Sequence, residues 1–340
     1  MTDPAPESAS PALADGLAAE ITVIYSTAET EIFAVITTRV RSSIAAANVT
    51  AALLNDSQLA QQDTATVLAR LDRKSAAAAR RALSEAYGRG NRRDRLVADR
   101  TLQDALGRLR TIRDAIRRWT RSVWQRLIGL SAQPDGPKLI GQTLQREAGR
   151  GITVPATTGR PRGAVSLATE TVQHAAGGAA IDGFADRLTE DGRDLVIVTL
   201  SPHPCPVCRP WERKVLSLTG DDEHPSMATA RAAGLFHPRC RHTVFAWSPG
   251  FEWPPHSIEH LPGSYAAEQR QRTIERHIRE WKRRDAAAVD DVTKLAAKRK
   301  TRQWETALRR HLAATGLQRS RQRERTDFGH TRPLRHAHGR

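Results

Sequence analysis

The stretch TLQDALGRLRTIRDAIRRWTRSVWQRLIGL constrains this chain more than any other. Leu102, Leu106, Leu109, Ile112, Ile116, Trp119, Val123 and Leu127 recur at steps of three or four, which places them on one stripe of an α-helix. The remaining faces carry Arg108, Arg110, Arg113, Arg117, Arg118, Arg121 and Arg126. Such a segment is stable only if its stripe is covered by another apolar face. The same character runs through ITVIYSTAETEIFAVITTRV and ATVLARLDRKSAAAARRALSEAYGRG, the latter predicted to end at Gly88 or Gly90. Aromatic residues make up only 5% of the 340, so Ala and Leu must do most of the burying, and that favours helices. Residues 13–150 are therefore expected to form a helical arm or bundle, after a Pro/Ser/Ala-rich lead over 1–12 expected to be disordered.

The middle of the chain changes period. DLVIVTLS places four β-favouring apolar residues in a row between turn formers and reads as a buried strand. KVLSLTG and HTVFAWSPG are two further short strands. With the helical SLATETVQHAAGGAAIDGFADRLTEDG they predict a small α+β module over 163–262. Beyond the Pro-rich WPPHSIEHLPG the helical pattern returns over 266–318, with a stripe of Ile274, Ile278, Trp281, Val289, Val292 and Leu295 continued by Trp304, Leu308 and Leu312. Residues 319–340 have almost no apolar side chains and are expected to be a disordered basic tail. The fold class is thus mainly α: an elongated N-terminal helical arm and a C-terminal basic helix flanking a small α+β module.

All three cysteines, and four of the twelve histidines, fall within residues 201–242 of the module. Cys205-Pro-Val-Cys208 is a C-x-x-C knuckle, and His237-Pro-Arg-Cys240 repeats the spacing with imidazole in place of one thiolate. Residues flanking a two-residue turn bring their side chains together, so each pair can bite one ion. Zinc takes three thiolates and one imidazole at tetrahedral angles, and a structural zinc site is the expectation. His242 and His203 are further ligand candidates. The rival is that the cysteines are small buried hydrophobes. Pro204-Cys205-Pro-Val-Cys208 also matches half of a zinc deaminase signature, which needs an H-x-E upstream; His174 is followed by Ala175-Ala176, and that reading fails. A cysteine–histidine nucleophile, as in a cysteine-dependent hydrolase, has no positive support in the spacing.

The formal charge is +16, the pI about 10.9 and the mean hydropathy −0.52, a balance that favours anionic partners. From Arg270 onward 21 Lys and Arg face 8 Asp and Glu, so residues 265–340 are expected to touch DNA phosphates without sequence preference. A zinc-knuckle protein that binds DNA non-specifically through the module is the second reading. No run approaches 18 apolar residues, so no membrane span is expected. The first residues lack the pattern of a secretory signal, and three cysteines, an odd number, fit a reducing compartment such as a cytoplasm.

Several of these pieces together resemble the phage minor capsid protein 2 family, related to the Mu-F-like head morphogenesis proteins of tailed phages. The resemblance is carried by DLVIVTLSPH, by Cys208-Arg-Pro-Trp211 with Lys214-Val215, by ARAAGLFHPRCRH with the SPG that closes the following strand, and by EQRQRTIERHIREWKRRDAA and WETALRRHLAATGLQR. It covers roughly residues 190–320. Family members usually carry Gln-Gly after the tryptophan, where this chain has Glu212-Arg213. The resemblance implies a non-enzymatic structural protein of the virion, present in few copies at the portal vertex of the capsid. It would contact portal and capsid proteins, with self-association among its contacts, and serve head assembly or genome delivery.

Overall fold

The structure is a computed structural model that describes residues 11–91, 99–155, 159–220, 223–253 and 262–326. Most of the lead, the last fourteen residues and most of the Pro-rich loop lie outside the described residues. Three long helices open the chain: α1 (Pro11–Ile44), α2 (Val49–Asn91) and α3 (Asp99–Ser131). At about 1.5 Å per residue, the 43 residues of α2 span about 65 Å. A shorter helix α4 (Gly136–Arg150) and a two-stranded ribbon, β1 (Thr153–Val154) with β2 (Arg162–Gly163), lead into α5 (Ala164–Glu190).

The arginine-studded stripe behaves as its spacing predicts. Leu106, Leu109, Ile112, Ile116, Trp119, Val123 and Leu127 are all buried, and the Trp119 ring meets Phe33 of α1 edge-on at 5.4 Å. Packing between α2 and α5 is of another kind. Ala78, Ala79, Ala82 and Ala86 of α2 and Ala175, Ala176, Ala179 and Ala180 of α5 are buried in one core. With only methyl groups between them, two backbones can approach closely, so a core with few aromatics still fills its space. That core runs from α1 into the middle of α5, so the packing does not divide at residue 163. The helix α2 also continues through Gly88 and Gly90. Glycine costs about 1 kcal/mol inside a helix, and here the buried Ala86 and Tyr87, whose hydroxyl donates to Asp186 at 2.7 Å, hold that end to α5.

The last turns of α5 enter a second core. Ile181, Phe184 and Leu188 pack beneath a three-stranded antiparallel sheet of order β4-β3-β5: β3 (Leu195–Val198), β4 (Val215–Ser217) and β5 (Val244–Ala246). A short helix α6 (Met227–Ala232), capped by the Ser226 hydroxyl, completes this module. The three strands are those expected from the sequence.

The C-terminal helices form a hairpin rather than one continuous stripe: α7 (Tyr265–Ala286) and α8 (Asp291–Thr315). Asp290 caps α8 by accepting from the Thr293 N–H at 2.8 Å, and the chain reverses there. Ile274 and Ile278 therefore meet Trp304, Leu308 and Leu312, whereas Val292 and Leu295, expected in the apolar seam, are exposed. The described residues 319–326, expected within the basic tail, are held by charged partners. A 3-10 turn over Arg321–Glu324 lies on α7, with Arg323 bonded to the buried Glu275 at 2.9 Å and Arg319 to the buried Glu324 at 2.6 Å. Charge-assisted bonds do here what apolar side chains do elsewhere.

The hairpin is fastened to the bundle at its base. Arg283 donates to the carbonyls of Ala148 and Gly149 at the end of α4, and Arg41 of α1 to that of Ala288. Gly151, at φ +74°, ends α4 where an added Cβ would come within 2.8 Å of the buried Glu29 carboxylate, which accepts from the Ile152 N–H. At Gly141 a Cβ would lie 2.4 Å from Val289 Cγ2 in the hairpin's turn. Gly141→Ala is therefore expected to lower the unfolding free energy by about 1–3 kcal/mol by overpacking, measured by denaturant titration.

A candidate metal centre between two loops

Two loops supply the site. The first, between β3 and β4, carries Cys205 and Cys208; the N–H of Cys208 bonds the Cys205 carbonyl at 3.2 Å and closes the knuckle. The second, between α6 and β5, carries His237, Cys240 and His242. It closes in the same way, with the Cys240 N–H on the His237 carbonyl at 2.8 Å. This loop is sharply bent: Gly234, Phe236 and Arg239 all have positive φ, near +97°, +61° and +69°. Two non-glycine residues in the left-handed region store strain, which persists only where the surroundings hold it.

The loops bring their soft ligands together. Potential ligand atoms of Cys205, Cys208 and His237 lie within 4.8 Å of one another, and so do those of Cys208, Cys240 and His242. Cys208, fully buried, belongs to both groups. Cys205 Sγ is 3.0 Å from His237 Nε2, Cys208 Sγ 3.5 Å from Cys240 Sγ, and Cys240 Sγ 3.4 Å from His242 Nδ1. Each imidazole is held by its other nitrogen: His237 Nδ1 is 2.8 Å from the Pro238 carbonyl, and His242 Nε2 is 2.9 Å from Glu212 Oε1. Such anchoring orients a histidine toward a metal. The donor set fits a soft or borderline cation such as zinc.

His203 goes elsewhere. Its Nδ1 lies 2.9 Å from Glu268 in the first turn of α7, and it is in neither ligand group. His174, the residue weighed for the deaminase reading, lies on α5. It borders a cleft of about 500 Å³ with Arg108, Arg231 and His237.

Charge is already distributed for cation binding. The Cys208 thiol hydrogen-bonds Cys240, which with burial raises its own pKa and brings that of Cys240 down to about 4. For Cys205, burial favours the thiol, but the Cys208 N–H and His237 outweigh it and leave the pKa lowered. Burial likewise opposes protonation of both histidines. Cys205 raises His237 despite this, and Cys240 with Glu212 does the same for His242. The lowered Cys205 and Cys240 favour the thiolate form that binds a cation, and cation binding to such groups displaces protons.

Glu212 and Arg213 were not singled out as site residues by the sequence. Glu212 accepts from the Ser201 N–H at 2.8 Å as well as facing His242, so it braces both ends of the first loop. Arg213 has φ +63°, a conformation that a glycine would adopt freely. Its guanidinium lies over the Trp253 ring, 5.6 Å from the centroid. The second loop also reaches outward. Arg239 pairs with Glu170 of α5 at 2.8 Å, and Arg241 with Glu268 of α7 at 3.5 Å.

The fold and the cluster thus define a mainly helical protein in which a small α+β module, carrying a Cys/His cluster, joins a helical bundle to a helical hairpin. A family model described as phage minor capsid protein 2 matches residues 138–313, just over half of the chain, from α4 to the end of α8. The chain belongs to that family, and is a structural protein of the phage head. No curated protein and no solved structure matches it. None of the described helices is long and apolar enough to cross a membrane.

Because Arg213 holds a left-handed conformation, Arg213→Gly should be more stable than Arg213→Ala by about 1 kcal/mol, both variants lacking the Trp253 contact. Equal stabilities in thermal melts would count against strain at this turn.

Proposed function

We propose that the protein occupies the portal vertex of the virion head, in few copies, and serves head assembly or genome delivery as a scaffold rather than an enzyme. Membership of the minor capsid family carries this reading. The helical bundle offers surfaces to portal and capsid subunits or to other copies, and the basic residues of 265–340 face packaged DNA. Gold labelling of intact or gently opened virions tests the placement. Label at a single vertex is expected, and label spread over all faces contradicts it.

The knot is proposed to hold one zinc ion. Cys205, Cys208 and Cys240 supply three thiolates, and His237, whose knuckle mirrors the Cys205–Cys208 turn, supplies the imidazole. His242 then backs Cys240 from its place against Glu212. Bound zinc fixes four side chains of two loops at once; in small modules it contributes on the order of 10–16 kcal/mol of apparent binding energy. On this assignment His237→Ala purifies with strongly reduced zinc and His242→Ala retains it, as read by elemental analysis. The reverse order would exchange the two histidines' roles.

A second reading has one observation in its favour. Cys205 Sγ at 3.0 Å from His237 Nε2 is also the spacing of a thiolate–imidazole nucleophile. Two further sulfurs crowd that pair, and metal binding accounts for all three.

A further inference from the structure

We infer that the outward face of α8, and not the basic residues of 265–340 in general, is the surface that binds duplex DNA. This sharpens the reading above, on which it rests, and follows from how the two hairpin helices use their cations. In α7 the cations are largely consumed by the fold. Arg272 pairs with Glu268 at 3.2 Å and Arg284 with Glu280 at 2.7 Å. Arg283 serves the end of α4, and Arg279 donates to the Arg323 carbonyl.

In α8 the distribution is the opposite. Lys298, Arg299, Arg302 and Arg310 are exposed and have no acidic partner among the described residues; Arg309, also exposed, bonds only the Thr306 hydroxyl. At about 100° per residue these five fall within a sector of about 120°, along about 18 Å of axis. The buried Ala297 and Leu308, and Trp304 with them, lie on the far side against α7. The result is a straight, convex rod edge presenting five charges in one direction.

The chemistry of that edge distinguishes its partners. Protein interfaces draw most of their energy from buried aromatic or aliphatic anchors. Between Lys298 and Arg310 the neighbours of these cations, Thr306 in the sector and Gln303 at its edge, include none, nor does Ala313 beyond them; the exposed Leu295 and Val292 share the face but lie three and six residues before Lys298, toward the hairpin's tip. Phosphates need only cations in reach, and neutralising them releases counterions from the duplex. The surface therefore fits the DNA backbone, without base readout.

The test uses the full chain and a fluorescent duplex of about 30 base pairs, titrated over a range of salt. For four contacts the slope of log affinity against log salt includes about −3.6, which corresponds to a loss of about a hundred-fold between about 50 and 200 mM salt. The variant Lys298→Gln/Arg299→Gln/Arg302→Gln/Arg310→Gln keeps helix-forming residues. It should retain the wild-type far-ultraviolet spectrum and flatten the slope by about 3 to 4. An unchanged slope overturns the assignment. If Arg332→Gln/Arg335→Gln/Arg340→Gln then abolishes binding, DNA contact by 265–340 stands but belongs to the tail. Wild-type protein that fails to bind the duplex overturns both. Polyglutamate that competes as well as duplex of equal charge overturns the choice of DNA in favour of an acidic protein surface. Family membership is untouched by every one of these results.

Discussion

Everything in the module depends on one fully buried sulfur. Cys208 lies at the meeting of the two loops, and it belongs to both groups of ligand atoms. The sheet it serves has three strands of three or four residues. Sheets so short bury little apolar surface, and a small core is marginal by itself. The proposed cation, held by thiolates and imidazole of both loops, would remove freedom from them together, which hydrogen bonds across so small a sheet do not.

The consequence reaches beyond the module. Between Phe236 and His242 the chain sends Arg239 to Glu170 in the bundle, Arg241 to Glu268 in the hairpin, and His237 and Cys240 to the first loop. His203, from the other loop, reaches the same Glu268. The two loops of the cluster therefore carry the side chains that tie bundle to hairpin. Surface ion pairs of this kind contribute about 0–1 kcal/mol each when their carriers are free to move, and more when a rigid loop holds them ready.

Much of this was legible in the residues. The eight-position stripe of α3 reports its own burial, because a period of three to four leaves no other face apolar. The three strands stood out by β-branched runs between turn formers, and the knuckles by their paired spacing. What was hidden has physical reasons. The reversal at Asp290 was missed because Val292 and Leu295 continue the periodicity of α7 while facing solvent; the cap at Asp290 outweighed the pattern. The close packing of α2 on α5 rests on alanines, which carry no strong periodic signal. Glu212 could not be recognised as the partner of His242 from 30 positions away. The Gln-Gly expected from the resemblance stands as Glu212-Arg213 here, and the left-handed backbone of Arg213 is one that a glycine would adopt without strain.

The central claim is that a bound cation, held by the two loops, keeps the module rigid. Elemental analysis of the purified protein, paired with thermal melts with and without a strong chelator, addresses it most directly. About one zinc ion per chain and a clear fall in melting temperature on chelation are the predicted results. Protein free of transition metal, with superimposable melts, would contradict it.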